Sequence, residues 1–174
     1  VLVNNGGISQ RSLIAETDFA VDKKIMDVDY FGTIALTKAL LPHFIQNQSG
    51  HYVTVTSLMG KFGSPYRSGY CAAKHALHGY FDVMRMEHEK DGVAVTLVCP
   101  GFVQTNVAIN ALTADGSPQV KNSETTANGM LLADFIPKMV RAMEQKKFEV
   151  YIGKKEVLGI YLKRFLPKYL HKVV

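Results

Sequence analysis

A chain of 174 residues that is 47% hydrophobic can build one buried core, and a charged fraction of 20% with a mean hydropathy of +0.03 excludes a disordered or membrane-spanning class. The net charge of +5 is not a nucleic-acid signature, because its excess gathers at the carboxyl end, in Lys154, Lys155, Lys163, Arg164, Lys168 and Lys172, rather than on a face interleaved with aromatics. Cys71 and Cys99 lie in apolar segments without metal-site or disulfide spacing, so no metal is expected and a reducing, cytoplasmic setting fits best.

In chain order, Val1-Leu2-Val3 reads as a buried strand and Asn4-Asn5-Gly6-Gly7 as the tight turn that ends it, since glycine admits backbone angles closed to other residues. No initiator Met, signal peptide or polar lead-in precedes the strand, so the chain is expected to begin inside a fold. Thr17-Asp18 offers an amino-terminal cap. Apolar Ile25, Val28, Phe31, Ile34, Leu36 and Leu40 then recur at helical spacing over 19–41, with an interruption near Gly32 and Pro42 marking the later stretch. Past the Ser49-Gly50 turn, the β-branched run from His51 reads as a strand with Ser57 at its carboxyl end. A loop over 60–68 leads into a second long helix, 70–90, closed by Asp91-Gly92. Val93 to Cys99 is a continuous apolar run of the kind buried on both faces of a parallel sheet, and it ends at Pro100-Gly101. Residues 106–128 read as a loop with a short helix, 133–146 as a helix, Val150 to Gly153 as a last strand, and the tail as basic and apolar residues alternating around Pro167.

This order implies an α/β class: a doubly wound parallel sheet with helices on both faces, residues 1–153 forming one domain and 154–174 a basic amphipathic tail. Ligands of such sheets gather at the carboxyl ends of the strands, where Asn4 to Gly7, Ser57 and the segment 100–105 all fall. Tyr70 and Lys74, four apart at a helix start, rise from one face. A phenol of ordinary pKa near 10 is a poor acid or base at neutral pH, and a neighbouring ammonium favours its ionised form. Ser57 at its strand end offers a hydrogen bond to a substrate oxygen.

Taken together, Asn4-Asn5-Gly6-Gly7, Ser57, Tyr70-Cys71-Ala72-Ala73-Lys74 and Pro100-Gly101-Phe102-Val103-Gln104-Thr105 resemble, in order and interval, the motifs of the short-chain dehydrogenase/reductase family. That resemblance implies the carboxyl-terminal part of a Rossmann-like fold and hydride transfer between NAD or NADP and a carbonyl or secondary alcohol. It makes Tyr70 the general acid or base, with Lys74 tuning Tyr70 and holding the nicotinamide ribose, and Ser57 orienting the substrate. Asn4 and Gly6 would line the adenosine ribose, while Val103 and Thr105 would hold the carboxamide. It also implies a homo-dimer or homo-tetramer through helices 19–41 and 70–90.

The chain departs from the family pattern twice. Asp29 stands where the family places an Asn that steadies a water beside the lysine, so a functional but slowed proton relay is expected. No glycine-rich phosphate loop occurs in the sequence, and about 70 to 80 residues, two βαβ units and a helix, would have to precede Val1 to supply one. These departures favour the alternative of an impaired relative or fragment that acts as a binding module. His75 and His78 do not complete a metal site, and Cys71 reads as a packing residue, with an oxidation-sensitive thiol as the alternative. Residues 106–128 are a substrate lid or a plain connector. The amphipathic tail fits packing on its own domain, on a second subunit, or peripheral contact with a membrane surface.

Overall fold

The computed structural model describes residues 1–121 and 124–174, so residues 122 and 123 of the 106–128 loop lie outside the described residues. Strands β1 (Leu2–Asn4), β2 (Gly50–Val55), β3 (Val93–Pro100) and β4 (Glu149–Ile152) form one sheet in the order β1-β2-β3-β4. All three pairings are parallel, with Tyr52 opposite Leu2 and Val95. Successive residues of a strand point to opposite faces, and β2 shows the consequence. Tyr52 packs with Phe44, Phe81, Val95 and Leu97 on one side, whereas its neighbour Val53 packs with Val98, Phe135 and Ile152 on the other.

The first of those layers is built by α2 (Gly32–Gln46) and α3 (Ser68–His88), the second by α5 (Leu132–Glu144). Along α3 the buried positions Lys74, Leu77, His78, Phe81, Met84 and Arg85 recur at three- and four-residue spacing, which lays one stripe on the sheet. Burying a side chain such as Phe81, which has no exposed surface, contributes roughly 1.5–3 kcal/mol.

Several sequence expectations are corrected. Among the described residues β1 pairs with β2 alone, and Val1 and Val3 are 77% and 41% exposed. The interruption of the helix expected near Gly32 is a widened turn immediately before it. α1 (Phe19–Ile25) passes into a π-helical stretch, Met26–Phe31, that carries Asp29, and α2 follows. The helix does not stop at 41: α2 runs on through Pro42 to Gln46. Pro42 and Lys38 are exposed, so the carbonyl left without an amide partner faces water. Asp18 holds the cap position of α1, but its side chain makes no capping hydrogen bond.

Beyond β3, the 106–128 loop includes α4 (Glu124–Ala127). After β4 the chain forms α6 (Leu158–Phe165) and α7 (Pro167–Val173), with Pro167 in the first turn. Gly159 lies so close to Phe62 that a Cβ there would stand 2.6 Å from its ring, and Leu170 joins the buried cluster of Leu58, Met59, Phe62, Cys71 and Cys99. One face of the tail therefore covers the segment that follows Ser57. Among the described residues no helix is long and apolar enough to cross a membrane.

Candidate active site

The hydrogen-bonded strand β2 stops at Val55, and Ser57 follows in extended backbone as the cap of a short 3-10 turn, Leu58–Gly60. Its Oγ accepts the amide of Met59 at 3.1 Å, which leaves the hydroxyl proton free to donate. Tyr70 and Lys74 occupy the first turns of α3, whose amino end is tied down by Gln10. That wholly buried amide accepts the N–H of Gly69 at 2.9 Å and donates to Ser12, Thr17 and Ser68.

The Lys74 ammonium sits 5.6 Å from the centre of the Tyr70 ring, 3.4 Å from the Val55 carbonyl and 3.3 Å from Asp29 Oδ2. Asp29 is fully buried, and its Oδ1 accepts the amide of Ile8 at 2.7 Å. Burial pushes its carboxyl above the usual carboxylate range, against the opposing pull of Lys74 and the Ile8 amide. Gly7 makes this packing possible, since a Cβ there would stand 3.2 Å from both Asp29 Oδ2 and the Lys74 ammonium.

Two cavities meet at Ser57 and Tyr70. The larger, about 580 Å³, runs across the carboxyl ends of the strands and is bordered by Asn5, Gly7, Lys74, Val103 and Thr105 among others. The smaller, about 70 Å³, is bordered by Arg11, Arg67, Phe102, Val103 and Glu156 together with Ser57 and Tyr70. Ser57, Tyr70, Lys74, Val103 and Thr105 thus come together around one space, with Asp29 immediately behind Lys74.

Asn4 and Gly6 do not border it. Asn4 is buried and its amide donates to Thr37 at 3.1 Å and Thr54 at 3.3 Å, fastening β1 to α2 and β2. Gly6 is exposed, with open space around the position of a Cβ. Asn5 and Gly7 form the wall instead, because alternate residues leaving a strand face opposite ways. Gln10, Arg11 and Arg67 carried no periodic or motif signal in the sequence, although three polar residues in a row at 9–11 after a strand end could have drawn attention to them.

A second polar cluster lies apart from these cavities. Ligand-capable atoms of His78, Cys99 and Glu149 fall within 4.8 Å of one another, but the Lys61 ammonium stands among them, 2.8 Å from Glu149 and 3.4 Å from His78 Nδ1. Burial first, and Lys61 next, push His78 down to about 4. Burial raises the thiols of Cys99 and Cys71 away from the reactive range. Cys71 packs in the cluster with Leu58 and Phe62.

The family described as "short chain dehydrogenase" matches residues 1–115. Dehydrogenase/reductase SDR family member 7B of Bos taurus is 42% identical over 168 residues, 96% of this chain and 52% of its own length. Dehydrogenase/reductase SDR family member 7 of Homo sapiens is 38% identical over 169 residues, 96% of this chain and 50% of its own. The chain therefore spans about half the length of the curated relatives it matches. Among solved structures, a short chain dehydrogenase from Burkholderia cenocepacia in complex with NADP superposes with a TM-score of 0.81 at 23% identity, covering 98% of this chain and 66% of the other. A short chain dehydrogenase/reductase from Burkholderia phymatum in complex with NAD gives 0.81 at 17%, covering 97% and 66%. At these identities the superpositions show the fold.

Proposed function

The chain belongs to the short-chain dehydrogenase family, and from that premise we propose that it transfers hydride between NAD or NADP and a carbonyl or secondary alcohol, with Tyr70 exchanging the proton. The supporting observation is the meeting of two cavities at Ser57 and Tyr70, with the Lys74 ammonium in the wall of the larger one only.

The residues present fit the nicotinamide and its ribose. The larger cleft has the volume of a ligand pocket. Gly7 keeps one wall free of side chain, and Lys74, Val103 and Thr105 border the same space. Lys74 would hold the ribose hydroxyls, and Val103 and Thr105 the carboxamide. The bound nicotinamide supplies or accepts the hydride.

In the direction of reduction, Ser57 donates a hydrogen bond to the substrate carbonyl oxygen and Tyr70 delivers its proton to that oxygen as the hydride reaches carbon. The Lys74 ammonium lies 5.6 Å from the centre of the Tyr70 ring and offsets the negative charge left on the tyrosine oxygen, and Asp29 holds the ammonium from behind at 3.3 Å. In oxidation the same groups act in reverse.

The test is a screen of NADH and NADPH oxidation with a panel of ketones and aldehydes, followed by absorbance. Turnover of at least one carbonyl is expected. Cofactor binding without turnover of any carbonyl would transfer the reading to a binding module.

The tail supports a further part of the reading, peripheral contact with an anionic membrane. Leu158, Tyr161, Phe165, Leu166 and Tyr169 are each more than half exposed, and Lys163, Arg164, Lys168 and Lys172 share their helices. Sedimentation with phosphatidylserine vesicles is expected to pellet the protein, and truncation of the last eighteen residues to abolish this. Self-association through α2 and α3, where Leu36, Val83 and Met86 are exposed, is read in the same centrifuge without vesicles. Pelleting that the truncated chain retains would remove the tail from the reading.

A further inference from the structure

We propose that Arg11 and Arg67 form an anion anchor in the smaller cavity, so that the carbonyl compound turned over at Tyr70 carries a carboxylate or phosphate group. The inference rests on the oxidoreductase reading and names the substrate class of the same site.

Both arginines border the cavity that contains Ser57 and Tyr70, and neither borders the larger cleft. They therefore face the substrate side of the site and not the space assigned to the nicotinamide. Arg67 is fixed at the amino-terminal cap of α3, three residues before Tyr70, and its guanidinium lies 5.7 Å over the Phe102 ring. The Arg11 backbone amide donates to Leu112 O at 2.8 Å, which fixes the backbone of that residue.

Each guanidinium spends little of its capacity on the protein. Nη1 of Arg11 donates to Ser9 Oγ at 3.1 Å and to the Gln10 carbonyl at 2.6 Å, and Nη1 of Arg67 donates to Ser64 Oγ at 3.1 Å. A guanidinium has five N–H donors, so most remain available. Among the described residues neither arginine has a carboxylate within ion-pair distance. Arg85 shows what this fold does with a buried arginine that is structural: it is paired with Asp82 at 2.8 Å and bonded to the Phe148 carbonyl at 2.9 Å.

The acid on the same wall, Glu156, is committed elsewhere. Its Oε1 accepts the Phe102 amide at 3.1 Å and lies against Gly101, where a Cβ would overlap it. Two partly buried cations side by side, without an acid, disfavour one another. Burial, and then the charge of Arg67, push Arg11 down to about 10. A ligand anion relieves that repulsion and matches the planar donor geometry of both groups.

The test compares kcat/KM for keto carboxylates of increasing chain length, for keto phosphate monoesters, and for the methyl esters of the same acids. The wild type is expected to prefer one charged series over the neutral esters by about 10- to 100-fold, the range of one or two charge-assisted hydrogen bonds. Arg11→Met and Arg67→Met should each collapse that ratio towards one, and Arg67→Lys should restore part of it. The preferred series decides between carboxylate and phosphate. Equal kcat/KM for charged and neutral compounds in the wild type overturns the anchor and leaves the oxidoreductase reading standing. If no carbonyl is turned over, that reading fails separately, and calorimetry with butyrate and butyl phosphate decides the anchor. Binding that Arg67→Met loses upholds an anion site, and no binding of either overturns it.

Discussion

A Tyr70→Phe variant is expected to lose about 10²- to 10⁴-fold in kcat, the usual contribution of a positioned proton donor, with NAD(P)H binding kept. The substitution removes one oxygen and leaves the ring, which packs against the Leu58, Met59 and Phe62 cluster and has the Lys74 ammonium 5.6 Å from its centre. The Tyr70 hydroxyl has no hydrogen-bond partner among the described residues, so unfolding in urea should shift by no more than about 0.5 kcal/mol. A stable protein that binds cofactor and turns over slowly is the signature of a lost proton donor. Turnover within threefold of the wild type would assign the proton to another group and leave Tyr70 as part of the wall.

The parts of this site that were legible in the sequence are those whose chemistry depends on local spacing. Tyr70 and Lys74 are one helical turn apart, and one turn is enough to place them on a shared face whatever the rest of the fold does. Ser57 was legible because a β-branched run must end at the sheet's ligand-binding edge. The side-chain direction of Asn4 was not legible, because at a strand end it depends on register. Pairing Asn4 with Thr54 across β1 and β2 turns its amide inwards, to Thr37 and Thr54, and passes the wall to Asn5 and Gly7.

The widened turn at Met26–Phe31 left no trace in the apolar pattern, since one extra residue in a turn displaces the stripe without erasing it. Arg11 and Arg67 are separated in sequence by α1, α2 and β2, and only the fold brings them to one cavity. Their lack of acidic partners among the described residues is a property of three-dimensional packing, invisible in composition.

The second large effect is on stability, and it separates what Lys74 does for the fold from what it does for the reaction. The side chains of Asp29 and Lys74 are 0% and 5% exposed, and 3.3 Å apart. Replacing one member of such a pair leaves a buried charge uncompensated, at a cost of about 3–5 kcal/mol. Lys74→Met should incur that loss at neutral pH.

The loss should also depend on pH in a fixed direction. Burial already holds the Asp29 carboxyl above its ordinary value of 3.8, and removing the ammonium removes the strongest influence opposing burial. An acid whose folded-state pKa is raised binds more protons folded than unfolded. Its stability contribution therefore falls as pH rises from the unfolded value through the folded one. Urea titrations of Lys74→Met are expected to show a small deficit near pH 4 that grows towards pH 8.

Adding Asp29→Asn removes the ionisable group, so the double variant Lys74→Met/Asp29→Asn should recover most of the stability and lose the pH dependence. Its turnover should stay as low as that of Lys74→Met, because the ammonium beside the Tyr70 ring is still missing. Asp29→Asn alone leaves Lys74 with the Val55 carbonyl at 3.4 Å and an uncompensated charge beside Tyr70. Its turnover should rise, because the charge of the ammonium is then no longer offset beside the proton-transfer site. Equal, pH-independent destabilisation of the single and double variants would show that Asp29 stays neutral without Lys74. The cost of losing Lys74 would then be one of packing and not of an uncompensated charge on Asp29.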